Sequence, residues 1–430
     1  MTNSSSRIRL NWLGFFCVSA LLFASSVQAQ FRVDVSGVGL TQVPVSIAPF
    51  KGEAVSVQKI SAIVAADLER SGQFRHIDAG ALLLDENTQP DISAFRQKAV
   101  DATAAGSVTR LADGRFDVRF RLWDVVKGSN LGGASHVVTA PNLRLAAHKV
   151  SDYIYEKLTG EKGVFSTKIA YVTKAGGSYT LWTADADGEN AIAQLRNTEP
   201  IISPAWSPNG SQLAYVSFES RKPEVWVFDL NTRARRLVAG FKGSNSGPSW
   251  SPDGRTLAIT LSRDGNSQIY AVSASGGEPS RLTRSEGIDT EATYTADGKS
   301  IYFMSDRGGA PQIYKMAASG GGATRVTFTG NYNISPAMSP DGKWLAYISR
   351  AGGGYKLFVM DLTTGLANAI TDTNADEKPS FAANSKLILY ATKLQGKEVL
   401  MSTTVDGRVK SKLGGPSADI REPAWAQMGN

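Results

Sequence analysis

A seven-residue motif returns along the second half of this 430-residue chain at a nearly fixed interval. Pro204-Ala-Trp-Ser-Pro-Asn-Gly210 recurs as Pro248-Ser-Trp-Ser-Pro-Asp-Gly254 and Pro336-Ala-Met-Ser-Pro-Asp-Gly342. Looser copies run from Ala292 to Gly298, Pro379 to Ser385 and Pro423 to Gly429. The central residues Trp206, Trp250, Tyr294, Met338, Phe381 and Trp425 are spaced 44, 44, 44, 43 and 44 apart. A repeat of that length is one supersecondary unit that cannot bury its apolar faces alone, so its copies must stack.

Each copy is followed by an apolar strand (Leu213 to Phe218, Leu257 to Ser262, Ile301 to Asp306, Leu345 to Arg350, Leu387 to Thr392) and a second near Trp226, Tyr270, Tyr314, Phe358 and Leu400. The Asp-Gly pairs read as hairpin turns, where glycine supplies a positive φ without steric cost. Room for four short strands makes each unit a propeller blade, with the recurring aromatic residues packed between neighbouring sheets. Ile169 to Lys174 and Trp182 precede the first motif, and no strand follows the last. The final strand is therefore expected to return and complete the first blade, which removes an exposed edge. The expected fold is an all-β six-bladed propeller over 164–430 preceded by a small α/β domain over 43–162.

That smaller domain mixes periodicities. Helices are expected from Val55 to Gly72, from Ile92 to Ala104, and along Leu143, Ala147, Val150, Ile154 and Leu158 up to Gly160. Pro44 to Phe50, Phe74 to Ile77, the vicinity of Val108 and Phe116 to Val126 read as strands. Residues 30–42 form a β-prone, glycine-containing segment expected to be an unpacked arm. Before it, Arg7 and Arg9, the apolar stretch Leu13 to Ser25 and Val27-Gln28-Ala29 form a cleavable export signal over 1–29, cut between Ala29 and Gln30. The apolar stretch is too short to span a bilayer, which excludes a membrane-embedded chain.

Composition narrows the chemistry. Cys17 is the only cysteine and lies in the signal, so the mature chain is expected to hold no disulfide, thiolate nucleophile or zinc-cysteine site. His76, His136 and His148 are the only histidines, too few for a metal site or triad, and His136 and His148 read as structural. The net charge of +7, +5 without Arg7 and Arg9, is scattered and lacks the basic, aromatic-interleaved runs of a nucleic-acid binder. Gly298-Lys299-Ser300 lacks the first glycine of a phosphate loop, since position 293 is Thr. Gly37-Val38-Gly39 lacks the third glycine of a dinucleotide loop, and position 245 is Asn where a nucleophile elbow needs Ser. Asp185-Ala-Asp187-Gly188 begins like a calcium loop without its remaining ligands and reads as a turn. No cofactor or metal is expected.

Function is then expected on the loops entering each inner strand: Thr198 to Ser203, Gly243 to Gly247, Ile288 to Glu291, Asn331 to Ser335, Asn374 to Lys378 and Ala418 to Glu422. Their acids, Glu199, Asp289, Glu291, Asp376, Glu377, Asp419 and Glu422, should converge on one channel mouth. Such a set suits protein docking. It leaves open an alternative, an exported propeller hydrolase acting on a carbohydrate or peptide through paired carboxylates.

The export signal, the α/β segment running directly into Ser-Pro-Asp-Gly repeats and the count of six blades resemble the TolB family over essentially the whole mature chain. These are periplasmic propeller proteins of the Tol-Pal system in Gram-negative bacteria. The repeats alone also occur in peptidase propellers; the α/β domain without a catalytic domain is the specific part. The resemblance implies a non-enzymatic periplasmic adaptor that binds the peptidoglycan-associated lipoprotein Pal over the channel mouth and TolA through the arm. It further implies support of outer-membrane integrity and of envelope constriction during division, and exploitation by colicins in some bacteria. Carried onto this chain, the TolA-binding arm is Phe31 to Leu40, with Phe31, Arg32, Val33, Asp34, Val35 and Gly37 as its contacts. Pal contacts fall at Ser244, Gly247, Thr290 and Glu291, with Thr198, Glu199, Asp289 and Arg421 beside them on the same rim. Position 244 is Ser where some members carry His, and Ala292 replaces the proline of its sister repeats.

Overall fold

A computed structural model describes residues 33–35 and 42–427, apart from 57, 79, 81–83 and 417, with the backbone alone at 33–35 and 55. The expected signal, the cleavage pair Ala29-Gln30 and the arm residues Phe31, Arg32 and Gly37 lie outside the described residues.

The repeat region folds as six antiparallel sheets, and in blades 2 to 5 the four strands run in chain order from the axis outward. Blade 2, for example, comprises Ile201–Trp206, Gln212–Ser217, Glu224–Asp229 and Arg235–Ala239. The inner strands of blades 3 to 6 are Asn245–Trp250, Asp289–Tyr294, Asn333–Met338 and Glu377–Phe381. Blade 1 takes its inner strand, Asp419–Trp425, from the far end of the chain; it pairs antiparallel with Lys168–Ala175, Trp425 facing Ile169. The ring is thereby closed by backbone hydrogen bonds rather than by side chains alone.

The recurring motif is a turn with its own hydrogen-bond chemistry. Ser251 donates to Asp253 at 2.6 Å and accepts from the Thr256 amide at 3.0 Å, while Asp253 accepts from the Arg255 amide at 3.0 Å. Gly254 supplies the left-handed residue, φ 70°. Thr295 with Asp297 and Ser339 with Asp341 repeat the pattern. Before each turn the aromatic residue reaches the preceding blade: Trp206 Nε1 donates to the Ala424 carbonyl at 3.1 Å and Trp250 Nε1 to that of Ala205 at 3.0 Å. Each indole therefore fills an inter-blade core and satisfies its one polar atom there.

In the α/β domain one five-stranded sheet has the order Phe74–His76, Val43–Ile47, Ala102–Arg110, Phe116–Asp124, Ser129–Val138. Helices α1 (Ile60–Arg70) and α3 (Leu143–Thr159) cover one face through Ile60, Val64, Leu68, Leu143, Ala147, Val150 and Ile154. Helix α2 (Ile92–Gln97) packs elsewhere, through Phe95 against Val100 and Val125. Three expectations are corrected. The first helix starts at Ile60, not Val55: a 3-10 turn, Glu53–Val55, comes first, and Glu53 caps α1 by accepting from the Ser61 amide at 3.0 Å and hydroxyl at 2.7 Å. The helix expected to run to Ala104 ends at Gln97, because Ala102–Arg110 is a central strand. Its alanines are small because both faces are covered, Ala104 packing with the α1 and α3 core and Ala105 against Trp123; tertiary packing overrides helix propensity there. Finally, the arm expected to be unpacked pairs over Val33–Val35 with Val409–Lys412, adding a fifth strand to the edge of blade 6.

The two domains meet through charge on the side of the Ser-Pro-Asp-Gly turns. Asp67 on α1 is fully buried, pairs with Arg70, and accepts from Ser151 at 2.7 Å, while His148 Nδ1 lies 2.7 Å away. From the other side, Asp185 and Asp187 of blade 1 approach His148 Nε2 at 3.8 and 3.7 Å; Arg144 pairs with Asp187, and Lys168 holds Asp185 at 2.5 Å. The turn that carries these acids also locks blade 1 to blade 6, since the Gly414 amide donates to the Asp187 carbonyl at 2.8 Å. Gly188 there has φ +86°, and a Cβ on it would sit 2.3 Å from the Gly414 carbonyl oxygen. Gly188→Ala is therefore expected to destabilise the chain by about 3 kcal/mol, combining left-handed strain with a backbone clash. Urea unfolding checks this; a loss no larger than that at half-buried Gly210, where a Cβ meets open space, would contradict the geometry.

Candidate docking site

The propeller axis opens at two ends of different character. On the side of the Ser-Pro-Asp-Gly turns a funnel of about 880 Å³ is lined by Trp206, Trp250, Tyr294, Met338, Phe381 and Trp425. At the opposite end, where the inter-blade loops enter the inner strands, the channel narrows to a throat of about 90 Å³.

The throat is built by one local device used six times. Ser203, Gly247, Glu291, Ser335, Lys378 and Glu422 all adopt left-handed backbone, φ 48° to 57°. In every inner strand the ladder register shifts across this residue, as between Ile202 and Ala205 or Thr290 and Thr293. A proline follows in five of the six, with Ala292 the exception; proline has no amide to give the ladder and is tolerated where a bulge interrupts it. Such backbone in non-glycine residues costs about 1–3 kcal/mol each and is retained where the surroundings over-determine it, often at binding sites.

Three of the six residues carry charge, and they contact one another. Glu291 accepts from the Ser335 amide at 2.7 Å and its hydroxyl at 3.1 Å, and lies 3.6 Å from Lys378 Nζ. Glu422 accepts from the Ser203 amide at 3.2 Å and stands 4.0 Å from the same ammonium. Burial alone would lower the Lys378 pKa, but Glu422, Glu291 and Glu377 outweigh it and hold the ammonium above its ordinary range. The result is an ammonium held charged between two carboxylates that line the throat.

Not every acid expected at the mouth belongs to it. Asp289 is fully buried, gripped by Arg307 at 2.9 and 2.8 Å and by Ser285 at 2.9 Å, so it is corrected from a partner contact to an internal rivet. Asp376 is likewise buried, accepting from Thr371, from Thr373 at 2.5 Å, from Thr392 at 2.6 Å and from the Leu357 amide at 2.9 Å. Both occupy the position two residues before the left-handed one, where Asn245 and Asn333 are also buried. Spaced 44, 44 and 43 apart, these four tie each loop to its blade, and that recurrence was the available signal. Of the other expected contacts, Glu291 and Gly247 line the throat. Thr290 and Ser244 are half-buried beside them, and Thr198 is exposed with Glu199 half-buried on the blade 1 to blade 2 loop. Arg421 is exposed but already bidentate to Glu398, at 2.7 and 2.6 Å.

One grouping of potential metal ligands exists among the described residues, Asp67, His148 and Asp187 at the domain seam. Arg70 and Arg144 already supply counter-charge to its two carboxylates, and we read it as an ion-pair network. No helix among the described residues is long and apolar enough to cross a membrane.

These features define a two-domain propeller protein: six blades closed by the chain's own last strand, an α/β domain on one side and a charged throat on the other. Residues 155–429 match the family model of the TolB beta propeller domain, and residues 31–131 that of the TolB amino-terminal domain. The Tol-Pal system protein TolB of Polaromonas naphthalenivorans is 76% identical over 400 residues, 93% of both chains; that of Dechloromonas aromatica is 60% identical over 423 residues, 98% of this chain and 99% of its own. Among solved structures, TolB from Acinetobacter baumannii is similar with a TM-score of 0.84 and 38% identity, over 93% of this chain and 100% of that one. The chain belongs to the TolB family of Tol-Pal system proteins.

Proposed function

We propose that this chain is a non-enzymatic adaptor of the periplasm that docks the lipoprotein Pal over the throat end of its propeller and engages TolA through the arm. In that role it supports outer-membrane integrity and envelope constriction during division. The observation that carries the reading is the ring of six left-handed residues with the Glu291–Lys378–Glu422 group at its rim. It is a preorganised polar surface at the end of the axis opposite the α/β domain. Glu291, Thr290, Gly247, Ser244, Glu199, Thr198 and Arg421 are its proposed Pal contacts. The arm is suited to a separate partner, because its three-residue pairing with the edge of blade 6 is short enough to exchange for pairing with another sheet. Calorimetry of residues 30–430 against soluble Pal and against the periplasmic part of TolA tests both halves. One-to-one Pal binding that survives removal of residues 30–41, with TolA binding lost, is expected. Loss of both with the arm, or no Pal binding by the intact chain, would overturn the division of roles.

A further inference from the structure

A second depression opens on the throat side, between blades 5 and 6: a groove of about 400 Å³ bounded by Tyr332, Ile334, Tyr355, Glu377 and Glu398. Its walls are apolar and aromatic, the Tyr332 and Tyr355 rings meeting edge to face at 5.9 Å, and Tyr355 is 40% exposed. The loop Asp376-Glu377-Lys378 sends three successive charges to three places. Asp376 goes into the blade as a rivet, Lys378 into the throat, and Glu377 into this groove.

We infer that the groove is a socket for a basic side chain, lysine or arginine, of the protein that docks over the throat; this rests on the docking reading proposed above. The other acids of the groove are committed, Asp376 to its threonines and Glu398 to Arg421. Lys393 stands on the exposed rim; Lys378 and Arg421 act on Glu377 from a distance but make their ion pairs with Glu291 and Glu398, and no salt bridge to Glu377 forms among the described residues. Glu377 accepts from the Glu422 backbone and is half-buried; burial first, and the charge of Glu422 next, push its carboxyl above the ordinary range against the pull of Arg421. An entering cation supplies the missing counter-charge, while its aliphatic stem and charged head suit the tyrosine walls. The groove is continuous with the docking surface, since Ser335 and Arg421 line it as well.

The sign of the pH effect follows. A cation favours ionised Glu377, so docking lowers a pKa that is raised in the free protein, and affinity should fall as the medium is acidified through that raised value. The probe is soluble Pal, titrated by calorimetry at about pH 5 and about pH 7.5 against the wild-type chain and Glu377→Gln, a near-isosteric change. Weakening of about 30-fold at the higher pH, with the pH dependence flattened, is expected. Replacing single lysines and arginines of Pal by methionine should identify one whose loss is not additive with Glu377→Gln. Thermal melting of the variant, unchanged from wild type, separates this from misfolding, and Tyr355→Ala should weaken binding in the same direction. Wild-type binding matched by Glu377→Gln to within about twofold at both pH values overturns the socket alone. Failure of the wild type to bind Pal removes the docking reading, and the socket with it.

Discussion

Glu291→Lys is expected to weaken Pal binding by at least about 100-fold, more than any other single change at the throat. The backbone is no obstacle to the substitution, because Lys378 already occupies the equivalent left-handed position two blades further on, φ 48° against 56° for Glu291. The electrostatics are. An ammonium in place of the carboxylate would stand near Lys378 Nζ, now 3.6 Å from Glu291. Like charges at about 4 Å repel by about 4 kcal/mol at an effective dielectric constant of about 20. The Ser335 amide, which donates to Glu291 at 2.7 Å, would also lose its acceptor. Glu291→Gln separates these terms, since an amide oxygen can still accept from Ser335 while the charge is gone; it should weaken binding by about tenfold. Calorimetry on both variants checks the order. Unchanged affinity in Glu291→Lys, with the propeller still folded, would move the docking site away from the throat.

The propeller was legible because its unit is dictated by chemistry that recurs. A hydroxyl, an acid two residues on and a glycine after it make one turn, as at Ser251, Asp253 and Gly254, and an interval of 44 then sets the blade. The throat was not legible in the same way. Side-chain identity does not announce a positive φ at Ser203, Glu291, Ser335, Lys378 or Glu422; only the proline that follows most of them hints that the ladder is broken. Nor does an acid in a loop declare whether it faces solvent. Asp289 and Asp376 read as rim acids, yet each is hydrogen-bonded inside its blade, and the hint lay in their alignment with Asn245 and Asn333. In the α/β domain the alanine run before Gly106 fitted helix by propensity and strand by packing. Gly106 itself marks the strand: a Cβ there would meet the Arg119 carbonyl at 2.2 Å and the Phe50 ring at 2.7 Å.

The domain seam was hidden for a related reason, and it carries the second large effect. Asp67 lies on the same helical face as Ile63, Val64 and Leu68, and His148 follows Ala147 on the buried side of α3. A polar residue within an apolar stripe implies a buried partner, but apart from Arg70 on the same helix the network here is completed by another helix and another domain. Asp67→Ala is expected to cost about 4 kcal/mol, because it leaves Arg70 and His148, 4% and 1% exposed, without their carboxylate. The pH dependence has two sides. Burial would raise the Asp67 pKa, but His148 and Arg70 outweigh it and hold it below 3.8, so its contribution is complete above 3.8 and is lost as pH falls through the folded value. Burial would lower the His148 pKa, but Asp67, then Asp187 and Asp185, outweigh it and hold it above 6.5; its contribution is complete below 6.5 and is lost as pH rises through the folded value. Both are fully present between 3.8 and 6.5. The stability difference between wild type and His148→Gln should therefore be largest in that window and shrink at higher pH, which thermal unfolding across pH measures. A difference that does not change with pH would mean that His148 is held neutral and that the seam depends on packing and on Arg144 instead.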